Sequence, residues 1–201
     1  MNIEKAISNF KKNGFEAVYF ETSKEASAYL NKEIDSVTVA YGGSMTIGEM
    51  HLLPLLAKHN TLWSHWKVPE GMTKEEVIKI ASSTDVYLTS ANGASESGEL
   101  INIDGTGNRV ASTLYGHKKV YFIVGVNKFE ENLEKAMWRA RNVSAPKNAQ
   151  RLQRKTPCAV NADKCYDCDC AERICRGFVI HTRKMTSCDM EVVIIGENLG
   201  Y

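Results

Sequence analysis

Residues 119–124 read KVYFIV, a run that is wholly apolar or aromatic after its lysine, and residues 129–143 then carry apolar side chains at helical spacing. Further short apolar runs, at residues 15–20, 37–41 and 85–90, also alternate with helical patterns. This alternation is typical of βαβ units, because parallel strands need a long crossover connection, which is usually a helix. The sequence therefore predicts an α/β fold with a mostly parallel sheet.

The last part of the chain departs from this alternation. Residues 177–182 and 191–195 both have strand patterns, and no helical pattern lies between them. Two strands in succession predict an antiparallel hairpin at an edge of the sheet. Because 201 residues suit one domain with a buried core, we expect a single domain over residues 1–201, with a cysteine-rich segment at 156–190 inside it.

The composition excludes several classes of protein. Lys and Arg number 25 against 24 Asp and Glu, so no overall positive field is available to attract nucleic acid or an anionic membrane. The sequence contains no run of about 18 apolar residues, the length that a helix needs to span a bilayer. Charged residues interrupt the N-terminal segment every few positions, whereas a signal peptide has an uninterrupted apolar region. We therefore expect a cytoplasmic protein that binds neither nucleic acid nor a membrane.

A glycine turn follows the predicted strand at 37–41. In parallel α/β sheets, ligands bind beyond the carboxyl ends of the strands, and glycines there allow backbone N–H groups to face an anion. A plain strand-to-helix turn, capped by a serine or threonine side chain, is the alternative. The candidate ligand-binding residues of this turn are Gly42, Gly43, Ser44 and Thr46.

A second loop, at residues 90–99, consists of small and polar residues. Asn92, Glu96 and Glu99 supply its amide and carboxylate groups, and long loops of this kind often carry function. Asn92 and Glu96 are candidate ligand-binding residues, and Glu99 is a candidate catalytic residue. A solvated surface turn is the alternative interpretation.

A third loop, DGTGNR at residues 104–109, partly matches a dinucleotide-binding fingerprint. The third glycine would fall at Val110, whose branched side chain prevents the close helix approach that the fingerprint needs, so no nicotinamide cofactor is expected. The loop still offers glycine N–H donors, a guanidinium for a carboxylate or phosphate, and Asp104 as a candidate catalytic residue. A structural ion pair between Asp104 and Arg109 is the alternative. The candidate ligand-binding residues are Gly105, Thr106, Gly107, Asn108 and Arg109.

All six cysteines lie between residues 158 and 188. Cys165 and Cys168 are spaced to chelate one metal, and Cys158 and Cys175 complete a set of four sulfur ligands. The spacing suits zinc and an iron–sulfur cluster equally well. Unligated thiols remain an alternative to metal binding.

Two further cysteines belong to the same segment. Cys170 could replace a neighbouring ligand, and Cys188 is additional. A redox-regulated disulfide between Cys165 and either Cys168 or Cys170 is another open interpretation.

Two other groups of residues have both a structural and a binding interpretation. Trp63 and Trp66 flank His65 and could line a ligand cleft or simply pack in the core. A basic stretch from Arg139 to Lys155 is usually a solvated face, but it could also bind a phosphate-bearing ligand or an acidic partner.

Three segments, GGSMTIGE, TSANGASESGELINIDGTGNRVA and KKVYFIVGVNKF, together resemble the lactate-utilisation (LUD) domain, and the resemblance extends over roughly residues 1–201. The segment TPCAVNADKCYDCDCAERIC also resembles the cysteine-bearing tail of some stand-alone members, whose cysteines match the four named above. The resemblance implies the fold shared by sugar-phosphate isomerases and CoA transferases. It also implies a role in L-lactate oxidation or related carboxylate metabolism, alongside iron–sulfur electron-transfer proteins, which favours a cluster over zinc.

The leading hypothesis is a component of L-lactate or hydroxyacid oxidation that holds a small carboxylate or phosphate between the first and third loops. Arg109 would pair with the anion, and Glu99 or Asp104 would transfer protons. One alternative is a CoA-transferase or sugar-phosphate isomerase-like enzyme, and another is a non-enzymatic assembly protein that responds to redox state or iron. The sequence decides neither the catalytic status nor whether the chain forms a homo-oligomer.

Overall fold

The computed structural model describes all 201 residues and contains two sheets. Its helices are α1 (Ile3–Lys12), α2 (Ser23–Glu33), α3 (Met45–Glu49), α4 (Leu53–Leu56), α5 (Lys74–Ala81), α6 (Asn108–Leu114), α7 (Leu133–Arg139), α8 (Ala145–Arg151) and α9 (Pro157–Asn161). Its strands are β1 (Glu16–Phe20), β2 (Thr38–Tyr41), β3 (Thr61–Trp63), β4 (Val86–Thr89), β5 (Gly93–Ser95), β6 (Leu100–Asp104), β7 (Lys119–Gly125), β8 (Phe129–Glu130), β9 (Gly177–His181) and β10 (Asp189–Ile195).

The larger sheet has six strands in the order β1-β10-β7-β4-β2-β3, and every neighbouring pair is parallel. This confirms the α/β class. The smaller sheet has the order β8-β5-β6-β9 and lies over one face of the larger one, since its residues Ala94, Leu100 and Phe129 join the core beneath that face. None of the helices has the length and apolar composition that crossing a bilayer requires.

Side chains of the larger sheet alternate between two cores. Val120 and Phe122 of β7 pack on the face covered by α1 and the smaller sheet, whereas Tyr121 and Ile123 pack on the face covered by α2, α3 and α4. A strand that is buried on both faces has no alternation of apolar and polar residues, so β7 is recognisable in the sequence as a continuous apolar run.

The predicted antiparallel hairpin at the end of the chain is wrong. β9 pairs with β6 in the smaller sheet, and β10 lies between β1 and β7 in the larger sheet, parallel to both. The burial patterns give the physical reason: β10 is buried from Met190 to Ile195, as a central parallel strand must be, whereas Phe178 and Ile180 of β9 are exposed.

The helix predicted over 129–143 has different limits. Phe129 and Glu130 form β8, and the helix begins after Asn132, whose side chain accepts a hydrogen bond from the Lys135 amide. The chain then passes through a π-helical turn over 140–144 directly into α8. Pro146, which has no N–H to donate to the preceding turn, lies directly after this π-helical turn, where the helical hydrogen-bond pattern is already interrupted.

Candidate anion-binding cleft

The carboxyl ends of three adjacent strands, β2, β4 and β7, open into one cleft. Its inner pocket has a volume of about 60 Å³ and is lined by Ser44, Ser90, Asn92, Arg109, Lys128 and Arg151, among others. An outer cleft of about 350 Å³ adjoins it, and the two share Gly43, Arg109, Asn148 and Arg151. The structure thus brings the first and third predicted loops to one cavity.

The first loop turns directly into α3. Ser44 caps this helix, accepting a hydrogen bond from the Ile47 amide at 3.3 Å, so the N-cap interpretation describes its side chain. Thr46 is fully buried, and its hydroxyl donates to the Leu199 carbonyl at 3.2 Å. A Cβ added at Gly42 would lie 3.4 Å from the Cδ of Arg109, so this glycine allows the arginine to pack against the loop.

Arg109 is held by four contacts. Its Nη1 donates to Asn102 Oδ1 at 2.5 Å, and its Nη2 donates to the Ile103 carbonyl at 2.7 Å and to Asn92 Oδ1 at 3.2 Å. Its Nε lies 3.3 Å from Asp104 Oδ2, so the structural ion pair is present. Because a guanidinium has five N–H donors, one Nη1 donor remains for a ligand, which excludes a bidentate grip in this arrangement.

The glycine turn of the third loop is organised by Asp104. Its Oδ1 accepts hydrogen bonds from the amides of Thr106 at 3.0 Å and Gly107 at 2.9 Å, so these two donors already have a partner. Gly105, Thr106 and Asn108 line the outer cleft. Gly107 has a φ of +93° at the start of α6, a conformation that favours glycine.

The two glutamates of the second loop lie outside both cavities. Glu96 accepts hydrogen bonds from the Asn2 amide at 2.8 Å and from Lys5 Nζ at 3.3 Å, which ties the loop to α1. Glu99 accepts hydrogen bonds from the hydroxyls of Ser95 and Ser97. Neither carboxylate is placed to exchange a proton with a ligand in the inner pocket.

A buried lysine, which the sequence did not single out, lies in the inner pocket. Lys128 is 4% exposed, and its Nζ donates to Thr46 Oγ1 at 2.7 Å and to Ser90 Oγ at 3.0 Å. Burial lowers the pKa of Lys128 to about 7, and the charges of Arg139 and Arg109 act in the same direction. The lysine follows β7 by three residues, so the strand-end rule, applied to KVYFIV, could have identified it.

Arg139 joins the segments behind the pocket, although the sequence placed it on a solvated face. Its Nε donates to the Asn127 carbonyl at 2.9 Å, and its Nη1 donates to the Asn92 carbonyl and to Ser144 Oγ, both at 2.8 Å. Ser144 Oγ also donates to the Asn92 carbonyl, at 2.7 Å. The π-helical turn brings Arg139 and Ser144 to the same backbone oxygen.

A family model, the LUD domain, matches residues 3–195. The chain belongs to the LUD domain family. A solved structure of a DUF162 family protein from Deinococcus radiodurans is similar over 98% of this chain and 99% of that one, with a TM-score of 0.52 and 11% sequence identity. At that identity the likeness concerns the fold alone. No curated protein matches the chain.

The outer cleft of this LUD domain is strongly cationic. Two carboxylates, Asp104 and Glu172, line it, against six cationic side chains: Lys74, Arg109, Arg151, Arg154, Arg173 and Arg176. Trp66 forms part of its wall and is 57% exposed, with Arg151 Cζ 5.9 Å from its ring centroid. Such a surface suits a ligand that places one anionic group in the inner pocket and carries a second anionic group in the outer cleft.

The four cysteines of the predicted metal site line one small cavity together with Ala145, Pro146, Ala149 and Ile174. No three His, Cys, Asp or Glu side chains of the chain are arranged to hold a metal ion. Arg141 and Arg173 lie beside Cys165 and Cys175, and these thiols raise the pKa of the two guanidinium groups. Cys188 lies elsewhere, buried in the core beneath the larger sheet.

The four cysteines have the number and kind of ligand atoms that a tetrahedral zinc ion or an iron–sulfur cluster requires. Tetrahedral zinc requires four ligand atoms about 2.3 Å from one point. A cluster bound by four cysteines holds several iron atoms between the sulfurs and therefore spaces the thiolates apart. Four cysteines around one cavity, with arginines beside two of them, are consistent with that arrangement.

Proposed function

We propose that this LUD domain binds a small carboxylate or phosphate anion in the inner pocket, as a component of L-lactate or related hydroxyacid oxidation. One observation carries the binding proposal: the side chains of Arg109, Lys128 and Arg151 line the inner pocket, and no Asp or Glu side chain does. An anion entering it would gain favourable charge interactions in a partly water-excluded space, where such interactions are stronger than in water. The volume of about 60 Å³ suits a ligand of only a few heavy atoms.

The arrangement gives the two central cations different tasks. Arg109 is fixed by Asn102, Ile103 and Asp104, so it offers a carboxylate one N–H donor and a stationary charge. Lys128 has no carboxylate partner and a pKa of about 7, so it exchanges a proton near neutral pH. In this proposal Lys128, which faces the pocket, is the proton-transferring group, and Glu99 stabilises its own loop.

The proposed role in hydroxyacid oxidation is supported by membership of the LUD family and by the match between pocket and substrate class. Oxidation of a 2-hydroxy acid to a 2-oxo acid releases two electrons and two protons, and the proposed recipients of the electrons are iron–sulfur proteins. The cysteine cavity would hold such a cluster through Cys158, Cys165, Cys168 and Cys175. When bound, the cluster would supply one-electron transfer.

Calorimetry tests the binding proposal. L-lactate, pyruvate, glycolate and inorganic phosphate would be titrated into the protein at pH 7, and into an Arg151→Ala variant. We expect at least one of these anions to bind, with roughly tenfold weaker affinity for the variant because one of the pocket's three cations is lost. An Arg183→Ala variant is the matched control, because Arg183 is exposed and lies outside both cavities. If no candidate anion binds the unmodified protein, the proposal is wrong.

Anaerobic purification with iron and sulfide analysis tests the cluster. We expect iron, acid-labile sulfide and visible absorption in the unmodified protein and in Cys188→Ser, since Cys188 lies away from the cavity. Cys175→Ser should lose most of the iron, because a serine hydroxyl is a poor replacement for a thiolate ligand. Zinc without sulfide would instead identify a structural metal site, and protein free of metal would remove the cluster from the proposal.

A further inference from the structure

Lys128 has an unusual set of neighbours for a buried amine. Its Nζ uses two donors on Thr46 Oγ1 and Ser90 Oγ. The Thr46 hydroxyl donates its proton to the Leu199 carbonyl, and the Ser90 hydroxyl donates its proton to Thr46 Oγ1 at 3.4 Å. Both hydroxyl oxygens therefore act as acceptors toward the lysine. A neutral amine satisfies this pattern with its two N–H groups and retains a free lone pair.

The C-terminal residues pack closely over this amine. A Cβ added at Gly200 would lie 2.7 Å from Thr46 Oγ1 and 3.2 Å from Lys128 Nζ, and Tyr201 lines the inner pocket. This covering excludes water from the buried side of the nitrogen. The open approach to Lys128 is therefore through the inner pocket, which its side chain lines.

The charges around Lys128 keep the amine reactive. Arg109 from α6 and Arg139 from α7 disfavour the ammonium form, and Glu49 from α3 only partly opposes them. A desolvated lysine beside other cations is the usual form of an amine that attacks carbonyl carbon at neutral pH.

We propose that Lys128 forms a reversible imine with the carbonyl carbon of a small 2-oxo acid bound in the inner pocket. The inference rests on the proposed anion-binding function and adds a substrate class and a covalent residue to it. The amine nitrogen bonds to the carbonyl carbon, and the carbonyl oxygen leaves as water with the two amine protons. No electron is gained or lost, so the step needs no oxidant or reductant.

Neighbouring groups have defined roles in this step. Arg109 lines the same pocket and holds the carboxylate through its remaining N–H, which places the adjacent carbonyl carbon near the lysine. Ser90 Oγ lies 3.0 Å from the reacting nitrogen and accepts a hydrogen bond from it, which helps to hold the amine in place. In this step Arg109 binds the carboxylate of the substrate, Ser90 positions the amine, and Lys128 is the residue that reacts.

Reductive trapping tests the imine. The full chain would be incubated with pyruvate at pH 7.5, reduced with sodium borohydride, and analysed by intact mass and peptide mapping. We expect a mass increase equal to pyruvic acid less one oxygen atom, located at Lys128. Acetate, which has the carboxylate but no ketone, should give none. Lys135→Arg is the matched control, because Lys135 is an exposed lysine paired with Glu131, and it should be trapped normally, whereas Lys128→Arg should not.

The outcomes separate this inference from the proposed function. Peptide mapping of the unmodified protein identifies the trapped residue even if Lys128→Arg does not fold. If calorimetry shows pyruvate binding and borohydride gives no adduct, the imine is wrong and anion binding stands. An adduct at another lysine also overturns the assignment. If no candidate anion binds and pyruvate forms no adduct, both the proposed function and the imine are wrong.

Discussion

The Nε of Arg109 lies 3.3 Å from Oδ2 of Asp104, and both side chains line the outer cleft. The aspartate therefore offsets part of the positive charge that a ligand would meet. Its other oxygen accepts hydrogen bonds from the amides of Thr106 and Gly107, so the same carboxylate also shapes the glycine turn. An Asp104→Asn substitution separates the two roles, because asparagine keeps an acceptor oxygen for the turn and loses the negative charge.

We predict that Asp104→Asn strengthens binding of inorganic phosphate about fivefold, corresponding to about 1 kcal/mol for one partly exposed charge. Calorimetry at low salt measures the change, which should shrink as salt is added. Asp189→Asn is the control, since Asp189 is exposed and pairs with Lys184 outside the cleft. Unchanged or weaker phosphate binding in Asp104→Asn would show that this carboxylate does not oppose the ligand.

We predict a specific pH dependence for the stability of Lys128→Met relative to the unmodified protein. The pKa of Lys128 is about 7 in the fold and 10.5 in its ordinary state, so between these values the unfolded chain binds more protons. Stability then rises with pH for the unmodified protein but not, through this site, for the variant. Urea unfolding should show the difference in unfolding free energy shifting by about 2 kcal/mol in favour of the lysine from pH 7 to pH 9.

Groups that Lys128→Met shares with the unmodified protein contribute to the stability of both, so their contributions largely cancel in the difference. Lys135→Met is a suitable control, because its exposed amine pairs with Glu131, which raises its pKa. A pH-independent difference for Lys128→Met would mean that the amine is charged in the folded protein.

We predict that Gly43→Ala narrows the cleft at little cost in stability. The new Cβ would lie 2.8 Å from the indole nitrogen of Trp66, an exposed side chain that can move away. Trp66 fluorescence should shift, and phosphate affinity should fall severalfold, because Trp66 and Arg151 share one wall. Gly48→Ala has nothing within 4 Å of its new Cβ and should leave phosphate affinity unchanged. Equal effects of the two variants would contradict this assignment.

We predict that Gly116→Ala destabilises the fold far more than Gly71→Ala does. Both glycines have positive φ, at +107° and +79°, but a Cβ at Gly116 would lie 2.2 Å from the Ser82 carbonyl oxygen, whereas Gly71 has open space. Thermal unfolding should show a loss of about 1 kcal/mol for Gly71→Ala, from backbone strain alone, and at least about 3 kcal/mol for Gly116→Ala. Similar losses would mean that the turn before β7 relaxes freely.

Local rules predicted much of this molecule from its sequence. The alternation around KVYFIV gave the α/β class, because burial on both faces of β7 leaves an unmistakable apolar run. The strand-end rule placed the loop at 42–46 at a cleft, since this loop follows β2, a parallel strand of the larger sheet. The loop at 104–109 reaches the same cleft from β6 of the smaller sheet, which pairs only antiparallel, so the rule does not explain its position.

The remaining features depend on contacts between distant segments. Nothing local to β10 shows that it inserts between β1 and β7, although its apolar run from Met190 was a signal for a central strand. In the sequence Lys128 and Arg139 resemble ordinary surface cations. Contacts between distant segments bury both side chains, which places Lys128 in the inner pocket and Arg139 behind it. Family resemblance pointed to the segment around Lys128 without indicating what its amine contacts.

The position of β10 also has a consequence for how the chain acquires its structure. β1, near the start of the chain, and β7 touch the same strand on opposite sides and are joined in the sheet only through it. During synthesis, β1 therefore has no partner in the sheet until residue 195 has left the ribosome. The strands β7, β4, β2 and β3 can pair without β10, but β1 cannot join the sheet before it, so folding should be slow and the incomplete sheet exposed to aggregation.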